Sequence, residues 1–158
     1  MTSTPSVSVA SELRLDRDQY RVIVAHCYDG LPDEACGLLA GPRAPEPPYV
    51  PFGPVTSVHP CANAATSSKR YRIDSLEYDR IDRALVPGQG LVGVWHSHTH
   101  TDAYPSPTDV EEAMGLQSLN GTWLFPIVSL KHGEPVVRAY RIDAVAGSIT
   151  EIPIVVTD

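Results

Sequence analysis

The chain has little of what marks a stapled, membrane-bound or nucleic-acid-binding protein. Cysteine is scarce: Cys27, Cys36 and Cys61 are the only three in 158 residues. An odd count with no metal-like pairing excludes a disulfide framework and suits a reducing, cytoplasmic setting. No apolar run approaches the roughly 20 residues of a membrane span. Met1 to Ala10 lacks the basic and apolar regions of a signal peptide. It is rich in Ser and Thr and is expected to form a disordered tail before one domain over residues 11–158. Positive charge is thin as well, with 12 Lys and Arg against 19 Asp and Glu, a net charge of −7 and no basic cluster. That balance argues against a nucleic-acid surface. What remains is ordinary for a soluble globular domain, 42% hydrophobic and 20% charged. A domain of this length can bury about two-thirds of its unfolded surface without staples. There is no internal repeat, and the oligomeric state is left open, a homodimer among the options.

Hydrophobic periodicity predicts a mixed α/β sheet with flanking helices. A short strand, Glu12 to Leu15, precedes a helix capped by Asp16 with Gln19 three residues on, whose core stripe is Tyr20, Ile23, Val24 and Cys27. Cys36 to Ala40 reads as a strand ending at Gly41, with Cys36 a small core residue. A proline-rich loop follows, Pro42 to Pro48, then an irregular strand from Tyr49 to Val58. His59 to Lys69 reads as a polar loop in which Cys61 has no assigned role. Tyr71 begins the next element, and Asp74 with Glu77 caps a second helix through Leu85. Leu91 to His98 is an apolar strand. The helix after Pro107 is expected to end near Gly115. Trp123 to Leu130 and Val136 to Ile142 form a hairpin, and a last strand covers Ile149 to Val156.

The chemistry concentrates at the end of the apolar strand. Side chains alternate along a strand, so His96 and His98 project from one face, as two ligands of one ion must. Asp109 follows a short loop that can fold back over that face. Two imidazoles and a carboxylate leave the fourth zinc position to water, which is a catalytic rather than a structural arrangement. Ser106 and Pro107 before Asp109 also have the form of a helix start. A rival set exists: His98 with His100 continues the same alternation, and Asp102 is a rival acid. His26 and His132 read as exposed or capping residues, and His59 as a loop residue. Glu34 opens the Cys36 strand, and a carboxylate near a metal-activated water is the usual general base of a zinc hydrolase. Ser106 has a hydroxyl to offer a developing oxyanion. Asn63 is a candidate for the wall of a substrate cleft.

Glu34, His96-Ser97-His98, then Asp109 eleven residues on with Ser106 three before it, resembles the JAMM (MPN-plus) metalloprotease signature. Pro32-Asp33-Glu34-Ala35-Cys36-Gly37-Leu38-Leu39-Ala40-Gly41 fits that family's first block. The resemblance implies a single MPN (JAMM) domain with a mixed, mostly antiparallel sheet flanked by helices. It also implies Zn²⁺ as cofactor on His96, His98 and Asp109, with Glu34 and Ser106 as catalytic residues, and so favours this set over the one containing His100. Most of the family has proline after the second histidine, where this chain has Thr99. His-Ser-His-Thr, Ala103-Tyr104-Pro105-Ser106-Pro107-Thr108-Asp109-Val110 and Asp33-Glu34-Ala35-Cys36-Gly37 are similar to the bacterial CysO-cysteine peptidase group. That likeness implies a zinc-dependent hydrolase acting after the Gly-Gly tail of a small ubiquitin-like sulfur-carrier protein, releasing cysteine or a short extension. The other readings are a deubiquitinase-like isopeptidase and a catalytically silent MPN scaffold.

Overall fold

A computed structural model describes residues 10–158. The expected tail therefore lies outside the described residues, except for Ala10, whose N–H donates to the Pro51 carbonyl at 2.9 Å. Strands β1 (Leu13–Asp16), β2 (Cys36–Pro42), β3 (Ser57–Cys61), β4 (Gln89–His98), β5 (Phe125–Ser129), β6 (Val136–Ile142), β7 (Ile149–Ile152) and β8 (Ile154–Thr157) alternate with helices α1 (Arg17–Asp29), α2 (Ser75–Ala84) and α3 (Pro107–Asn120). Six strands form one sheet in the order β3-β2-β4-β5-β6-β7, antiparallel at every pairing except the parallel β4–β5. β1 and β8 pair in parallel as a separate ribbon.

The sheet is buried on both faces. Ile23 and Cys27 of α1 pack with Leu13, Leu15, Leu39, Val92, Trp95 and Val128 on one side. Ile81 of α2 and Ala113 of α3 pack with Cys36, Leu38, Leu91 and Val94 on the other. Continuous apolar runs such as Leu91–Trp95 are what a strand covered on both faces requires. The β2–β4 register slips between Leu39 and Ala40, so that Val92 is the extra residue of a bulge. Beyond the bulge Val94, His96 and His98 share the face turned to α2 and α3, while Trp95 and Ser97 face α1.

Four expectations need correction. The helix after Pro107 does not end at Gly115 but continues to Asn120. Gln117 anchors the extra turns, its amide donating to the Ile142 carbonyl at 2.7 Å and its carbonyl accepting the Trp123 N–H at 3.0 Å. Such anchoring offsets the ~1 kcal/mol cost of a mid-helix glycine. The irregular strand from Tyr49 begins only at Ser57, because Pro51 and Pro54 have no N–H to give a ladder. It runs on through His59 to Cys61, which is paired opposite Cys36 and buried rather than in a polar loop. The final strand is split at Pro153, with β7 on the main sheet and β8 on the ribbon.

Candidate metal centre

The two ends of the signature meet through the β2–β4 pairing. Cys36 lies opposite His96, and the next pair is closed by Ser97 N–H to the Ala35 carbonyl (3.0 Å) and Ala35 N–H to Ser97 Oγ (2.8 Å). Continuing that antiparallel register brings Glu34 level with His98. Gly37 lies beneath the Trp95 ring, where a Cβ would stand 2.0 Å from the indole. Asp109 arrives from α3, aimed by a capping box. Ser106 Oγ accepts the Asp109 N–H at 3.1 Å, and the Ser106 N–H donates to Asp109 Oδ2 at 2.9 Å.

Three donor atoms thereby converge. His96 Nε2 and His98 Nε2 are 3.1 Å apart, and Asp109 Oδ2 lies 3.2 Å from the first and 3.0 Å from the second. Among the described residues this is the one group of three or more such side chains able to hold a metal ion. A tetrahedral ion with arms of about 2.0–2.1 Å separates its ligands by roughly 3.3 Å, so these spacings fit. His98 Nδ1–H donates to the Asp102 carbonyl at 2.7 Å, which leaves the Nε2 lone pair facing the cluster, as metal-bound histidines require. Tyr71 stacks on the His96 ring at 4.5 Å.

The electrostatics favour a cation at this point. Burial, outweighing the pull of Asp109, lowers the pKa of His96 and keeps the ring neutral. Burial opposes charge on His98 and on Asp109 too, but there it is overcome. Asp109 and the Asp102 carbonyl hold His98 above its ordinary value. Hydrogen bonds with His96 and His98 keep the Asp109 carboxyl well below the usual carboxylate range. Glu34 is 5% exposed and its Oε1 has no hydrogen-bond partner. Burial pushes its carboxyl up to about 8, with His98 pulling the other way and Asp109 and Glu112 adding to the rise. A buried, unpartnered carboxyl beside three converging donors is suited to receive a proton from a water. A cleft of about 700 Å³ opens alongside, lined by Arg70, Tyr71, Glu112, Leu116 and Trp123 among others.

The rival residues are not brought in. His100 is exposed, and Asp102 turns its carboxylate to Lys131 at 3.4 Å and His132 at 3.4 Å. His26 is half-buried rather than free, donating to the Cys61 carbonyl at 2.9 Å beside Trp95. His59 sits in β3 against Ser57. Asn63 is not among the residues lining the cleft; its amide bonds main-chain groups of the 62–72 loop and the Glu34 carbonyl. Two roles went unread in the sequence, the Asp102 carbonyl and the Tyr71 ring. Main-chain acceptors carry no residue signature, and an aromatic at an element boundary reads equally well as core.

Comparison with known proteins agrees with this geometry. The family model for prokaryotic homologs of the JAB domain matches residues 16–143. The CysO-cysteine peptidase of Mycobacterium tuberculosis is 37% identical over 144 residues, covering 89% of this chain and 88% of that one. The desampylase of Haloferax volcanii is 34% identical over 110 residues, 66% of this chain and 74% of its own. A solution structure from Desulfitobacterium hafniense superposes with a TM-score of 0.71 at 27% identity, covering 92% of this chain and 93% of its own. A JAB1/MPN domain protein from Archaeoglobus fulgidus, at 17% identity and a TM-score of 0.56 over 90% of this chain and 99% of its own, shares the fold. The chain belongs to the prokaryotic JAB-domain family of JAMM-type metallopeptidases.

Proposed function

We propose that this protein is a zinc-dependent peptidase cleaving the amide bond after the C-terminal Gly-Gly of a small ubiquitin-like sulfur carrier, releasing cysteine or a short extension. The observation that carries the chemistry is the unpartnered, buried Glu34 carboxyl beside the convergent His96, His98 and Asp109 donors. Those three residues would hold the ion. Bound there, zinc supplies Lewis acidity and lowers the pKa of a coordinated water to about 7. Glu34 takes the proton of the attacking water and returns it to the leaving amine. The Ser106 Oγ accepts the Asp109 N–H, which leaves its own hydroxyl hydrogen to donate to the oxyanion. The carrier is inferred from the 37% identity to the CysO-cysteine peptidase, which spans nearly the whole of both chains. A Gly-Gly tail suits a narrow approach to the donors, having no side chains and adding to a sheet edge through its main chain.

The desampylase relative favours a second reading in which the leaving amine is a protein lysine, and the residue roles are the same. The cluster's full complement of donors weighs against a silent scaffold. Mass spectrometry of a Gly-Gly-Cys carrier incubated with the enzyme tests the first reading. A product ending in Gly-Gly is the expected result. An intact carrier alongside rapid cleavage of generic peptides would overturn it, because the grip on the folded carrier is what orients the scissile bond. Cleavage of a lysine-linked conjugate with no action on the cysteine adduct would favour the isopeptidase instead.

A further inference from the structure

We infer that Asn63 is a positioning residue, whose side-chain amide fixes the main chain of Glu34 at the metal cluster while closing the loop that walls the cleft. The inference rests on Glu34 being the base. The Glu34 Oε1 has no partner, so its placement depends on the backbone beneath it. Both backbone polar groups of Glu34 are held by one loop. Its N–H donates to the Ser67 carbonyl at 2.8 Å, and its carbonyl accepts from Asn63 Nδ2 at 2.9 Å.

The same amide organises that loop. Asn63 Nδ2 also donates to the Arg70 carbonyl at 3.0 Å and approaches the Ser67 carbonyl at 3.4 Å. Oδ1 accepts the N–H groups of Ala65 at 2.9 Å and Arg72 at 3.1 Å. The amide orientation is forced, since a flip would set the NH₂ against two N–H donors and the oxygen against carbonyls. Thr66 lies at φ +44°, a left-handed conformation that a β-branched residue adopts only where its surroundings impose it. Ala64 N–H to the Arg72 carbonyl (2.8 Å) and Thr99 Oγ1 to the Ser68 carbonyl (3.0 Å) also tie the loop, but neither reaches Glu34. One side chain therefore couples the base to the segment bearing Arg70 and Tyr71 on the cleft, and Tyr71 stacks on His96.

Asn63→Asp separates the two halves of this role. It keeps the oxygen that receives Ala65 and Arg72, and removes the donor to Glu34 and Arg70. In the zinc-loaded full chain, Asn63→Asp should retain its zinc and circular dichroism, and the carrier KM should stay within about twofold. The Ala65 and Arg72 amides should remain slow to exchange while the Glu34 amide exchanges faster. kcat should fall about 10- to 100-fold, the scale of an ångström-sized misplacement. Asn63→Ala, lacking both halves, should lose as much kcat and raise KM as well. Wild-type kcat in Asn63→Asp beside an inactive Glu34→Gln overturns the proposal alone. Loss of kcat together with zinc or fold in Asn63→Asp, or a rise in KM alone, overturns it too. Full activity in Glu34→Gln would overturn the assignment of the base and the positioning role with it.

Discussion

Replacing Glu34 with Gln should stabilise the metal-free protein at neutral and alkaline pH and leave it nearly unchanged in acid. Burial is the largest cause of the rise of the Glu34 carboxyl from 4.5 to about 8. A carboxyl whose folded pKa exceeds its unfolded value contributes stability that is fully present below the unfolded pKa and is lost as pH rises through the folded one. Here the window runs from 4.5 to about 8. Each unit is worth 1.36 kcal/mol, so the loss approaches about 5 kcal/mol, trimmed to about 3–4 by residual solvent screening. Glutamine has nearly the same shape and no charge, and is spared this loss. The depressed pKa of Asp109 acts in the opposite sense, its stabilisation disappearing in acid, but it is common to both proteins and cancels in the difference. Urea unfolding of chelator-treated wild type and Glu34→Gln at about pH 4, 6, 8 and 9 measures the effect through the shift in midpoint. The two curves should nearly coincide at the lowest pH and separate steadily up to about pH 8. Equal stability at the highest pH, or a full separation already present at the lowest, would refute the reasoning. Adding zinc should shrink the difference, because a nearby cation stabilises the carboxylate.

His96→Ala should lose the zinc, whereas His100→Ala, whose side chain is exposed, should keep the metal and most of the activity; metal analysis of the purified proteins decides, and zinc lost from His100→Ala but kept in His96→Ala would move the site two residues along the chain. Ser106→Ala should cost about 1 kcal/mol of stability as a lost N-cap, yet about 10²–10³ in kcat if the hydroxyl also serves the oxyanion, so parallel denaturation and turnover measurements separate the two roles. Gly37→Ala places a Cβ 2.0 Å from the Trp95 ring and should destabilise by at least about 1–3 kcal/mol, read by urea denaturation; a wild-type midpoint would show that the indole can move aside.

The convergence of His96 and His98 was legible in the sequence because a strand's two-residue period puts both on one face, whichever partners the strand acquires. Asp109 was legible for a different reason, since Ser-Pro-x-Asp is a local helix-start pattern that needs no tertiary knowledge. Glu34 stood at the head of a readable strand, but its unpartnered burial depends on β2 pairing with β4, which only the fold reveals. The misses share a cause in tertiary context. Gly115 reads as a terminator until Gln117 is seen to bond Ile142 across the structure. Cys61 reads as a loop residue until the β2 ladder reaches it. Residues 149–156 read as one strand because the period alone does not tell which side of Pro153 belongs to which sheet. The contacts of Asn63 are not legible in the sequence, since its partners are main-chain groups of Glu34 and of the 62–72 loop, which carry no residue signature.

The start of α3 shows how closely the fold and the site are joined. Asp109 Oδ2 receives the Ser106 N–H and also faces both imidazoles, so one oxygen completes the capping box and belongs to the donor cluster. An ordinary N-cap box stabilises a helix by about a kilocalorie. In this chain the same contact also restrains the carboxylate that must meet two rings carried by another element. The helix cap therefore restrains one of the three donors through contacts that do not involve an ion. It also follows that metal and helix should report on each other. Occupying the cluster should slow exchange of the Asp109 amide, which is bonded to Ser106 Oγ, even though that amide is not itself a ligand. The extended α3 makes this coupling firm at both ends, through Ser106 at its first turn and Gln117 near its last, so that the carboxylate is presented by a helix anchored to the sheet rather than by a free loop.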